Sequence, residues 1–454
     1  MVKERDPLFY GTEKPIKILL KIAPPVMAAL LIQSLYNVVD SLFVGMYDPK
    51  GHGINALSVI YTMQLVIIAL AVGTGVGVNT FMAKLYAEKK GKEANETAGT
   101  GAILALLMWI IFSVLSVFIL KPFIEFQCKD ETAREYAFTY GIIVCAGSLG
   151  VFTEGIFTKV HQAEGNMLLP TIAQITGAVV NVILDPILIF GWRIFPEMGI
   201  KGAAIATVIG QIVAAVITGI KGLRKPPKLK NFGYYIKKIY SYGYPSILMQ
   251  LAFTVYIVAL NAILATFCDE AVTVLGLYYK VQSFFWIPLI GLQTCIVPVI
   301  SYNYAAKKYD RIKSIMNWSF LISAVTMLIG VICFEFLPVP IISIFNKTER
   351  VLEIGKRAFP IIGLSFIPAT FSFIIPTLFQ SIGKPLPSVF LTLLRQIFGL
   401  IPLFYLFSLI GLDYTWIAFP VAESITAIFG MLFYFLQLKK WKKEENDTKN
   451  EAIN

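Results

Sequence analysis

Apolar runs longer than about 18 residues recur along this chain, and a run of that length reads first as a membrane-crossing helix. Runs and polar breaks place the first six spans at roughly 16–46, 55–86, 95–120, 132–160, 168–192 and 199–221. A basic stretch, Gly222 to Lys238, follows. Six more spans then lie at roughly 240–267, 272–304, 311–336, 352–380, 387–411 and 414–438. Hydrophobic residues make up 57% of the chain, charged residues 15%, and the mean hydropathy is +0.71. Barrel strands are short and alternate in polarity, so runs this long exclude them. The expected fold class is an all-α polytopic membrane protein with 12 transmembrane helices.

A net charge of +11 would suit a partner such as nucleic acid, but a polytopic protein gathers basic residues on its cytoplasmic loops anyway. With both termini in the cytoplasm, 27 of the 39 Lys and Arg fall on that side and 10 on the other. The expectation is a multi-pass protein of the plasma (inner) membrane with both termini cytoplasmic, the lipid bilayer as its surroundings, and no nucleic acid. Five cysteines without ligand spacing and two histidines, His52 and His161, give no metal centre. The charged, mixed stretch Met1 to Lys21 lacks the short apolar core of a cleaved signal peptide. There is no GxxxxGK[ST] run, so ATP is not expected to drive the chain directly.

The two halves repeat. A shift of 218 residues places Leu57, Tyr61, Gln64, Gly73, Tyr86, Lys89 and Lys90 on Leu275, Tyr279, Gln282, Gly291, Tyr304, Lys307 and Lys308. Six spans is an even number, so the halves share an orientation, as pseudo-symmetric six-helix bundles do in secondary transporters. The expected domains are an N-terminal lobe with an ion site (1–221), a basic cytoplasmic linker (222–238), a C-terminal lobe (239–440) and a polar cytoplasmic tail (441–454).

Within the fifth span, Asn181 and Asp185 stand four apart on one helical face, and Pro186 deprives the Val182 carbonyl of its partner and kinks the helix. The first span carries Gln33, Tyr36, Asn37 and Asp40 on one face, and the sixth carries Thr207 among small residues. Ionisable side chains inside spans mark a functional site by default. Two carboxylates, an amide and a hydroxyl suit a proton or a small hard cation such as Na⁺ at Asp40, Asn181, Asp185 and Thr207. In the second half, Asn261 stands where the first has Asp40. Lys280 and Ser283 share a face there and join Gln33, Tyr36 and Asn37 as candidates to line a substrate cavity. Arg395 reads as structural near the cytoplasmic face, and Glu154 as peripheral.

The runs Gln33-Ser-Leu-Tyr-Asn-Val-Val-Asp-Ser-Leu-Phe-Val-Gly45, Gln162-Ala-Glu-Gly-Asn166, Asn181-Val-Ile-Leu-Asp-Pro186, Gly202-Ala-Ala-Ile-Ala-Thr207 and Pro298-Val-Ile-Ser-Tyr-Asn-Tyr304 carry a resemblance. They resemble the multidrug and toxic compound extrusion (MATE) transporters, in order and over nearly the whole chain. The resemblance implies a V-shaped pair of lobes and export of small amphipathic or cationic organic compounds in exchange for H⁺ or Na⁺. It implies no cofactor. It places the first-lobe ion site on Asp40, Asn181, Asp185 and Thr207, with Tyr140 as the tyrosine of the fourth helix. One branch uses acids on helices seven and ten; Asn261 and a lone Glu353 depart from that and point to the DinF-like branch. The expected protein is a monomeric multidrug antiporter, H⁺ favoured over Na⁺, working by alternating access. The alternatives are a lipid-linked saccharide flippase of the same superfamily and, in another class, a membrane-embedded lipid-modifying enzyme or structural protein. The enzyme reading lacks any nucleophile–base or metal constellation.

Overall fold

The computed structural model describes residues 9–453 apart from 49–50, 129, 193–194 and 346, and all their side chains but those of 37, 269 and 448–453. Among the described residues the long elements are all helices, with a single isolated bridge between Trp192 and Phe195. In chain order they are α1 (Pro15–Tyr47), α2 (His52–Ala87), α3 (Gly91–Gln127), α4 (Glu131–Ala146), α5 (Leu149–Ala163), α6 (Leu168–Ile189) and α7 (Ile200–Gly219). Then come α8 (Leu229–Ala265), α9 (Asp269–Ala305), α10 (Tyr309–Phe336), α11 (Glu349–Gly363), α12 (Phe366–Ser381) and α13 (Pro385–Leu393). A π-helix, Leu394–Leu400, joins α13 to α14 (Ile401–Ser408), and α15 (Ala418–Ile453) ends the chain. Ten helical stretches are long and apolar enough to cross a membrane, and twelve spans result when α4 with α5 and α11 with α12, bent by 45° and 50°, each count as one. The expected helical class and span number both hold.

The chain divides into two compact units. The first comprises residues 1–13 and 20–251, the second residues 14–19 and 252–454. The first unit thus reaches past the basic run 222–238. The reason is packing: a Cβ on Gly77 would lie 2.1 Å from the Ile239 carbonyl oxygen, and Phe81 stacks on Tyr242 at 6.0 Å. Tyr235 also donates to Glu96 Oε2 at 2.6 Å. Helix α8 starts at Leu229, so the second half of the basic run is helical; the residues from 441 likewise continue α15.

Close helix approach sets the core of the first unit. A Cβ on Gly210 would stand 2.6 Å from the Gly177 carbonyl oxygen, and one on Gly202 would stand 2.4 Å from that of Leu188. The backbones of α6 and α7 therefore touch, as small residues permit. Beside them Val44, Ile60, Tyr140, Ala203 and Ala204 form one buried cluster that ties α1, α2 and α4 to α7. The second unit is built on aromatic packing instead: Phe334 stacks on Phe359 at 4.8 Å, and Tyr278 meets both edge to face.

Candidate ion-binding site in the first unit

The contact of α6 with α7 fixes the candidate site. Asn181 Nδ2 donates to Asp185 Oδ1 at 3.3 Å along α6 and reaches Thr207 Oγ1 across to α7 at 3.4 Å. Asp185 is 0% exposed, Asn181 2%, and Asp40 and Thr207 8% each. Helix α1 brings the Asp40 carboxyl within hydrogen-bonding reach of Asp185. Two carboxyls bond to each other only with a proton between them, and two bare carboxylates repel. Three buried oxygens here, Asp40 Oδ1, Asn181 Oδ1 and Asp185 Oδ2, have no donor among the described residues. Buried acceptor oxygens left over in this way are chemically suited to a proton or a small oxygen-seeking cation.

Tyr140 joins this cluster. It is buried on α4, its hydroxyl is in hydrogen-bonding reach of Thr207 and Gln64, and it interacts electrostatically with Asp40. Tyr36, one turn before Asp40, interacts with Asp40, Asp185 and Glu154 together. It also lines a shallow apolar groove of about 200 Å³ between α1 and α6, with Ile32, Leu35, Val39, Ala178 and Val182. Helix α6 runs unbroken through Pro186 to Ile189, and the Pro186 carbonyl accepts from Phe190 N at 3.3 Å. The proline removes one donor without ending the helix.

Glu154 corrects the sequence reading. It is not peripheral: its Oε1 accepts from Thr158 Oγ1 at 2.6 Å and from Gln174 Nε2 at 3.1 Å, which links α5 to α6. The signal was present in Gln174, which shares a face of α6 with Asn181 and Asp185, but its partner lay on a helix whose bend the sequence did not reveal. Gln64 stands out in the sequence only as a repeat position, yet it lies within hydrogen-bonding reach of Tyr140. Among the cavity candidates, Gln33, Lys280 and Ser283 are exposed, and Ser283 Oγ donates to the Lys280 carbonyl at 2.7 Å. The Asn37 side chain lies outside the described residues. Arg395 is buried and paired with Glu423 in the second unit.

Known proteins share the fold and much of the chain. The profile of the MatE family matches twice, over residues 25–187 and 245–406. A FAD transporter of Shewanella oneidensis is 23% identical over 92% of this chain and 94% of its own. A probable multidrug resistance protein NorM of Thermotoga maritima is 26% identical over 94% of this chain and 93% of its own. Among solved structures, an outward-facing conformation of a multidrug resistance MATE family transporter of the MOP superfamily superposes with a TM-score of 0.89. It is 22% identical and covers 97% of this chain and 100% of its own.

Proposed function

The chain belongs to the MatE family of membrane transporters, and from that premise we propose that it exports small amphipathic organic compounds in exchange for a cation. The supporting relatives are named for multidrug export and, in one case, for FAD transport. The observation that carries the reading is the buried cluster of Asp40, Asn181, Asp185 and Thr207, with three oxygens that have no donor among the described residues. Two buried carboxyls within reach of each other repel when both are charged, so the arrangement suits a group that takes up a proton or a cation.

We assign the coupling role to Asp40 and Asp185, with Asn181, Thr207 and Tyr140 hydrogen-bonding either protonation state. A carboxyl pair in contact holds one shared proton and titrates as a unit, which makes H⁺ the favoured coupling ion over Na⁺. Protonation removes a charge from the interior of the unit, and that change of charge biases the alternation between inward and outward access. Both termini are assigned to the cytoplasm by the distribution of Lys and Arg, and the working form to a monomer. Asn261 in place of an acid favours the DinF-like branch. A flippase for lipid-linked saccharides would be served by cations lining a cleft, and exposed Lys280 alone does not supply them.

The test is substrate export from vesicles by Asp185→Asn. The amide keeps the volume and the bond from Asn181 while removing the titrating group. Export at the wild-type rate with wild-type ion dependence would sink the assignment.

A further inference from the structure

The second unit holds a buried ion pair that is separate from the first unit's carboxylates. Arg395 Nε donates to Glu423 Oε1 at 2.7 Å, and Ser372 Oγ donates to Glu423 Oε2. The two charged side chains are 8% and 10% exposed. The guanidinium carbon stands 3.7 Å from the ring centroid of Phe373 and 5.7 Å from that of Trp286. Those rings meet edge to face, with centroids 4.6 Å apart and planes at 88°. Tyr256, Tyr278 and Tyr279 also interact electrostatically with Arg395. Trp286 Nε1 is buried beside it with no hydrogen-bond partner among the described residues.

An aromatic corner closed by a carboxylate is how proteins hold a flat or quaternary cation, and here the cation is the chain's own. Stability alone does not explain the pair, because apolar side chains of the same volume often serve a core as well or better. The backbone beneath Arg395 adds a second observation. Leu394–Leu400 is a π-helix, a form that is rare and concentrated at functional sites. Pro402 offers no N–H to the Phe398 carbonyl, and a Cβ on Gly399 would lie 2.4 Å from the Leu394 carbonyl oxygen. Glycine is what lets the wide turn close. Passing between a π and an α turn shifts the register by one residue, which rotates the side chains on one flank by about 100° at 3.6 residues per turn.

We propose that Glu423, Ser372, Phe373 and Trp286 form a site for a flat organic cation of the aryl amidinium type. Arg395 fills this site in the present structure and leaves it when the π turn relaxes to α. The site lies within the second unit and does not rest on the coupling role of Asp40 and Asp185, because its occupancy is read at equilibrium without a gradient.

The probe is p-aminobenzamidine, which fluoresces more strongly out of water, with uncharged p-aminobenzamide as its isostere. Each is titrated into the full-length protein in detergent, and energy transfer from Trp286 is taken as the component lost in Trp286→Phe. The amidine is expected to give that component and the amide not. Glu423→Gln should weaken it about tenfold, as loss of one partner of a buried charged contact does. Gly399→Ala, which the π turn cannot accommodate, should tighten it several-fold. Equal binding of the amide, an absent Trp286 component, or unchanged affinity in Glu423→Gln overturns the site. Unchanged or weaker binding in Gly399→Ala overturns the register change. Where Glu423→Gln does not fold, Arg395→Gln with Glu423→Gln removes both charges and must also lose the amidine signal.

Discussion

Asp185 accepts at one oxygen from Asn181 and leaves the other, also buried, without a donor among the described residues. The same is true of one Asp40 oxygen, so the two residues share a deficit that a single proton or cation can fill. We predict that Asp40→Asn and Asp185→Asn each reduce gradient-driven export to background, and that the double variant is no worse than either single one. Strict additivity of the two losses in a transport assay would contradict a shared unit. Glu154 makes a different prediction. Leucine there strands the Thr158 hydroxyl and the Gln174 amide, which should cost about 1–3 kcal/mol in stability. Glu154→Gln keeps an acceptor oxygen for both and should melt close to wild type. Equal melting temperatures for the leucine and glutamine variants would show that these bonds carry no weight. At this scale the sequence revealed the acids and amides through their helical spacing. It could not reveal which helix faced Gln174, because that pairing is set by the bend between α4 and α5.

Helices α6 and α7 hold the site by backbone contact at Gly177 and Gly210. A methyl on Gly210 has only 2.6 Å to the Gly177 carbonyl oxygen, so Gly210→Ala must part the helices and draw Thr207 away from Asn181. We predict a loss of about 1–3 kcal/mol, typical of overpacking, together with reduced export. Full export at an unchanged melting temperature would contradict the contact. Pro186→Ala returns a donor to the Val182 carbonyl, and we predict that it changes the transport rate more than the melting temperature. The reverse pattern would make Pro186 a packing feature only. Most helix ends were legible, since an apolar run must stop where polar residues return. The breaks at Gly147–Ser148 and Leu364–Ser365 were not, because both lie inside runs that remain apolar across the bend. The start of α8 at Leu229 was hidden by Lys228, Lys230, Lys237 and Lys238, whose charges read as a loop although lysine is a good helix former.

Two copies of one six-span pattern make up the molecule, and the MatE profile matches each of them. The repeat was readable from Tyr61, Gln64 and Gly73 with their counterparts in the second half. What differs between the halves was less legible. The first unit brings two acids, Asp40 and Asp185, within reach of each other with no cationic partner among the described residues, while the second pairs its buried acid, Glu423, with Arg395. Arg395 and Glu423 sit 28 residues apart on separate elements, and neither charge announces the other in the sequence. From this difference we infer that the first unit carries the coupling role, with the carboxyl pair exchanging a proton as access alternates. The most direct measurement is substrate transport by the purified protein in proteoliposomes, in Na⁺-free buffer, under an imposed pH gradient. Uphill transport that collapses when the gradient is dissipated, and that is absent in Asp185→Asn, is the predicted result. No transport under the pH gradient, with full transport restored by a Na⁺ gradient alone, would contradict it.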